Sequence, residues 1–178
     1  EKTMTERVVE KTLHFEASRE RVWKAITDPA EVAMWFGDEA EFDLRVGGHG
    51  AMIWEKHGRY EMRVDEVEAP RRLVWSWIHE SDVAFDDAPA TRVEWNLTER
   101  EGGGTTLYLR ESGFLTDLHH QQNDGGWDEE LGELATLLES VLYGLPEDDL
   151  RKILVDRDFV RDNLSAIVDD ADLRRYIL

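Results

Sequence analysis

The period of the hydrophobic positions changes three times along the chain. From Glu6 to Ala17, Val8, Leu13 and Phe15 stand among polar residues in partial alternation, which predicts a strand. Val22, Trp23 and Ile26 then follow helical spacing over Arg19–Thr27, with Ser18 as N-cap and Asp28-Pro29 as the stop. A short second helix is predicted over Pro29–Trp35, since proline loses nothing in a first helical turn. Strands are then read in Glu39–Leu44, His49–Trp54 and Arg59–Glu68: Gly47-Gly48 suggests a tight turn between the first two, and the last two, separated by Lys56-His57-Gly58, read as a hairpin. Leu73, Trp75, Trp77 and His79 share one strand face, and Val74, Ser76 and Ile78 the other. Thr91–Arg100 and Thr105–Ser112 flank Glu101-Gly102-Gly103-Gly104, a strong hairpin signal. From Trp127, the positions Leu131, Leu134, Leu137, Leu138, Val141 and Leu142 make one amphipathic helix, ended by Gly144 and Pro146.

This order predicts an α+β architecture in which a curved antiparallel sheet grips a long helix, with room for a cavity between them. Residues 1–145 form this domain. Residues 146–178 read as a helical C-terminal extension, with Leu150, Ile153, Phe159, Leu164 and Ile167 as an apolar patch that packs on the domain or on a second subunit.

Composition narrows the chemistry. The 178 residues contain no cysteine, which removes disulfides, thiol nucleophiles, thiolate zinc sites and iron–sulfur clusters. Forty acidic against 21 basic residues give a net charge of −19, and the region from Pro146 onward contributes little of it. Such a chain is a poor non-specific partner for nucleic acid or anionic membrane. No apolar run approaches a transmembrane span and no signal-type segment opens the sequence, so a soluble, cytoplasmic protein is expected.

Several blocks then resemble a known family. They are FEASRERVWKAITDP (Phe15–Pro29), MWFG (Met34–Gly37), DLRVGG (Asp43–Gly48), VDEVEAPRRLVWSW (Val64–Trp77), TRVEWNL (Thr91–Leu97), GTTLYL (Gly104–Leu109) and Gly126-Trp127 with the leucine-spaced helix behind it. In this order they resemble homologues of the C-terminal domain of the Hsp90 ATPase activator, in the START-like helix-grip (SRPBCC) superfamily. The resemblance implies a seven-strand antiparallel sheet, two short helices after its first strand and a long C-terminal helix. It carries over no catalytic motif and no cofactor.

Seven tryptophans make an aromatic cavity wall the leading expectation. Trp54, Trp75, Trp77 and Trp95 are the candidate wall residues, while Trp23 and Trp127 are expected in structural roles. His79 shares the Trp75–Trp77 face and has a side chain suited to hydrogen bonding or proton transfer. Glu111, beside Arg110, reads most simply as half of an exposed ion pair; buried, it needs a partner. His119 belongs to the polar run His119–Asp124, expected to be a loop or helix entrance rimming the cavity. Adjacent histidines point apart, so no metal site is expected there. The glycine-rich turns lack the context of phosphate or dinucleotide loops. The leading function is binding of a small apolar or aromatic ligand. The alternatives are a stress-associated protein-interaction module, and a cyclase or hydrolase acting on a hydrophobic small molecule. A homodimer through the C-terminal helices is a further candidate assembly.

Overall fold

The computed structural model describes residues 7–142, with side chains through Glu139. The strands are β1 (Val9–Phe15), β2 (Glu39–Phe42), β3 (His49–Trp54), β4 (Gly58–Glu68), β5 (Arg72–Ile78), β6 (Ala90–Glu99) and β7 (Thr105–Ser112). They form one seven-stranded antiparallel sheet in the order β1-β7-β6-β5-β4-β3-β2. Helices α1 (Arg19–Thr27) and α2 (Pro29–Trp35) join β1 to β2, and α3 (Asp117–Leu142) follows β7. This is the helix-grip arrangement the sequence implied. The helices expected after Pro146, and the subunit contact assigned to them, lie outside the described residues.

The paired short helices follow from local chemistry. The Ser18 hydroxyl accepts the Arg21 N–H at 3.2 Å and starts α1. Asp28 closes α1 and caps α2, accepting the Ala30 N–H at 3.0 Å, while Pro29 occupies the first turn.

The two sheet faces differ in chemistry. On the concave face Leu73, Trp75, Val93, Trp95, Leu107 and Leu109 are essentially sealed from solvent. From α3, Trp127, Leu131, Leu134, Leu137 and Leu138 pack down on them, each no more than 2% exposed. The convex face carries a charge ladder: Arg110 and Arg72 reach Glu94 at 3.3 and 3.1 Å, and Arg72 and Arg92 reach Glu66 at 2.9 and 3.1 Å. Each exposed pair contributes less than about 1 kcal/mol, but the ladder sets opposite charges beside one another in a strongly anionic chain.

One boundary needs correction. The sequence placed the start of the long helix at Trp127, and α3 begins ten residues earlier, at Asp117. Polar residues and the Gly125-Gly126 pair hide this half, because each helical glycine costs about 1 kcal/mol relative to alanine. Tertiary anchors overcome that cost. Arg7 pairs with Asp117 at 2.6 Å, Lys11 reaches Asp124 and Asp128 at 2.9 and 2.8 Å, and His120 donates to the Val8 carbonyl at 2.9 Å. The N-terminal half of α3 is thereby tied to β1 and its leading residues.

Candidate functional site

The site is built around a carboxylate. Glu111 on β7 is completely buried and faces the concave side, in the cross-strand row that runs through Val9 and Val93. Its Oε2 accepts from the Trp77 indole N–H at 2.8 Å and the Thr91 hydroxyl at 2.6 Å. Its Oε1 accepts from the Trp127 indole N–H at 2.8 Å, and Asn123 Nδ2 donates to both oxygens at 3.0 and 3.2 Å. Indole N–H groups can only donate, so the arrangement needs two acceptor oxygens side by side, which a carboxylate supplies. The expectation of an exposed Arg110–Glu111 pair is overturned. Alternation sends Arg110 to the convex face, where it meets Glu94, and Glu111 inward, where neutral donors replace a cation.

Glu111 thus fixes two indole rings, and those rings wall a cavity. A volume of about 450 Å³ is lined by Phe36, Trp54, Trp77, Asn123, Gly126 and Trp127 among others, with Trp54 and Trp77 as the part-exposed rings. Phe36, the residue after α2, stacks on Trp127 at 5.2 Å and 12°. It also meets Trp54, Trp75 and Trp77 at 5.1, 6.4 and 5.6 Å. Gly126 contributes space: a Cβ there would touch nothing within 4 Å. A second cavity of about 180 Å³ shares Trp54, His57, Trp77 and Asn123 with the first and continues toward Tyr60, His79, Thr91 and His119.

The residues singled out from sequence separate into two groups. Trp54, Trp77, His79 and His119 line these cavities. Glu111 lies behind the wall and holds Trp77 and Trp127 in place. Trp75 and Trp95 lie in the packed core, 4% and 1% exposed, and line neither cavity. Strand parity put Trp75 and Trp77 on one face but said neither which face points inward nor how deep each ring sits. Trp127, expected as a structural residue, is both core and wall. Phe36 and Gly126 had no assigned role, and Asn123 was expected only as part of the rim run His119–Asp124. Phe36 and Gly126 sat inside recognised blocks, MWFG and Gly126-Trp127, whereas Asn123 lay in the hidden half of α3. Among the described residues no group of three or more His, Asp or Glu side chains converges to hold a metal ion.

His119 stacks on His79 with ring centroids 3.7 Å apart and meets the edge of Phe114 at 4.8 Å. Burial, with the charge of His79 second, lowers the His119 pKa from 6.5 to about 4. The unfolded chain therefore binds a proton between about pH 6.5 and 4 that the folded protein excludes. Stability from this residue is complete above pH 6.5 and is lost as the pH falls toward 4. Urea unfolding across that range is expected to show a steeper acid loss for the wild type than for His119→Phe; parallel curves would contradict a His119 ring kept uncharged by its half-buried position.

With this geometry in view, comparison with known proteins is informative. A family model described as Activator of Hsp90 ATPase homolog 1-like protein matches residues 16–139. The chain belongs to this family. The match takes in α1, α2, nearly all of α3 and every strand except β1. Two solved structures have similar folds and recognisable sequence. DynU16, a protein in the dynemicin biosynthetic locus, is 27% identical with a TM-score of 0.64; the match covers 76% of this chain and 48% of that one, so this chain spans about half of DynU16. CalU16 from Micromonospora echinospora is 26% identical with a TM-score of 0.61, and 83% of this chain matches 82% of it. The Aha1 dimer from Colwellia psychrerythraea has a TM-score of 0.62 over 74% of this chain and 96% of that one; at 18% identity the likeness is one of fold. Among the described residues no helix is long and apolar enough to cross a membrane.

Proposed function

We propose that the protein binds a small molecule with an apolar or aromatic body, seated in the larger cavity against Trp54 and Trp77, which Phe36 and Trp127 back from the core. The observation that carries this reading is an aromatic-walled space of about 450 Å³ whose indoles are pinned from behind by Glu111. That volume falls in the range of small-molecule sites, and a wall fixed before the ligand arrives loses little freedom on binding. DynU16 comes from the biosynthetic locus of a named compound, in keeping with a small-molecule role. The stacked His79–His119 pair fits polar selection at the far end of the site better than proton transfer near neutral pH, because His119 stays uncharged there.

Filling the space tests the reading. A leucine at position 126 projects from α3 into the cavity, where Gly126 leaves room. Gly126→Leu is expected to weaken binding of 9-anthracenemethanol, followed by tryptophan quenching, by at least about tenfold while the circular dichroism spectrum is kept; a loss of about 1.4 kcal/mol corresponds to that factor. Unchanged affinity in a folded Gly126→Leu protein would remove the cavity as the binding site.

A further inference from the structure

Asn123 and Trp127 stand four residues apart on α3, so both side chains leave the same face of the helix. That face meets Glu111, and the contact fixes which way the Asn123 amide lies. Its Nδ2 donates to Oε1 and Oε2 at 3.0 and 3.2 Å. The flipped amide would set Oδ1 against two carboxylate oxygens that accept and cannot donate, so one orientation alone is allowed. Oδ1 therefore faces away from Glu111. Among the described residues nothing donates to it, and it is not one of the polar atoms sealed from solvent without a partner. Asn123 lines both cavities, together with Trp54, His57 and Trp77, so its free oxygen opens where the two spaces join.

The other donors at this place are already engaged. The indole N–H groups of Trp77 and Trp127 and the Thr91 hydroxyl hydrogen all go to Glu111. What Asn123 leaves for a guest is the acceptor Oδ1 and the second Nδ2 hydrogen. The carboxylate behind the amide polarises it and makes Oδ1 a stronger acceptor. An apolar body lying against Trp54 and Trp77 displaces water from that oxygen, and the loss is offset only when the guest brings a donor of its own. We infer that Asn123 determines specificity: the ligand carries a neutral hydroxyl on its apolar body and donates it to Asn123 Oδ1. A hydroxyl suits this amide because it gives a hydrogen to Oδ1 and still has lone pairs for the spare Nδ2 hydrogen. This rests on the reading that the cavity holds a small molecule, and it adds the polar group that the molecule presents.

Two probes with one ring system isolate the donor: 9-anthracenemethanol and its methyl ether, 9-(methoxymethyl)anthracene, titrated at neutral pH with tryptophan quenching as readout. The ether keeps the oxygen and lacks only the donated hydrogen. Its extra methyl group adds apolar area, so burial alone ranks the ether first. The alcohol is expected to bind about three- to tenfold more tightly, the range that one neutral hydrogen bond supports. Asn123→Leu, close in size, is expected to abolish that preference by weakening the alcohol and leaving the ether's affinity unchanged. Gln122→Leu makes the same kind of change at the preceding residue of α3, which is exposed and lines neither cavity, and is expected to keep the preference. If Asn123→Leu fails to fold, Asn123→Ala replaces it, and the order of the two probes on the wild type stands as a test without any variant. Equal or tighter binding of the ether by the wild type would overturn the assignment of Asn123 and leave the small-molecule reading standing. A preference that survives the loss of the Asn123 amide, or that Gln122→Leu removes as fully, would place the acceptor elsewhere and overturn it too. If neither probe binds the folded protein, the small-molecule reading itself falls, and the assignment with it.

Discussion

Glu111→Ala is expected to destabilise the protein by about 4 kcal/mol or more, because it strands four donor groups, each of which costs about 1–3 kcal/mol when left buried without an acceptor. Those donors are the indole N–H groups of Trp77 and Trp127, the Thr91 hydroxyl and the Asn123 amide. Domains of this kind have total stabilities of about 5–15 kcal/mol, so the variant sits near the edge of folding. Glu111→Gln is the sharper experiment because it keeps the shape. Its NH₂ must face either the Trp77 side or the Trp127 side, and each side presents an indole N–H that cannot accept. Rotation of Thr91 or Asn123 relieves their own contacts but not the indole's. The expected cost of Glu111→Gln is about 2 kcal/mol, one buried donor left facing another. Urea unfolding followed by tryptophan fluorescence measures both changes. A Glu111→Gln protein within about 0.5 kcal/mol of the wild type would mean that the carboxylate does not bind the two indoles in solution.

The second large effect belongs to Phe36. Its ring lies within 5.1–6.4 Å of Trp35, Trp54, Trp75, Trp77 and Trp127. It is 2% exposed. It joins α2, the β3–β5 wall and α3 through one side chain. Phe36→Ala is expected to cost about 3–5 kcal/mol, from lost burial and from the void left among the rings. The void adjoins the larger cavity, so the variant also widens the site and removes the stacking partner of Trp127. Phe36→Leu keeps much of the volume without the aromatic face. It is expected to recover most of the stability and little of the affinity for an aromatic probe. Recovery of both by leucine would show that Phe36 acts only as filler.

Much of the fold was legible because its signals are local. Ser18 and Asp28-Pro29 punctuate the short helices, alternation marks β6 and β7, and the run Gly102-Gly103-Gly104 marks the β6–β7 turn. The first half of α3 was hidden because contacts to β1, Arg7 and Val8 hold it against its own glycines, and such contacts leave no trace in local spacing. The site was legible in kind but not in detail. Trp54, Trp77, His79 and His119 were named from residue type and strand face. The role of Glu111 was out of reach, because its donors arrive from β5, β6 and α3, between 12 and 34 positions away. Alternation alone already placed Glu111 on the face opposite Arg110, and that was the available hint against an ion pair.

The central claim is that the rings pinned by Glu111 form the wall of a ligand site, and the indole N–H signals of ¹⁵N-labelled protein test it most directly. Each of the seven tryptophans supplies its own signal. On titration with 9-anthracenemethanol, the signals of Trp54, Trp77 and Trp127 are expected to shift saturably. Those of Trp23, and of Trp35, whose indole is bonded to the Ala25 carbonyl, are expected to stay in place. Saturable shifts confined to Trp23 or to residues outside the cavity, or no shift at all at high probe concentration, would contradict the account.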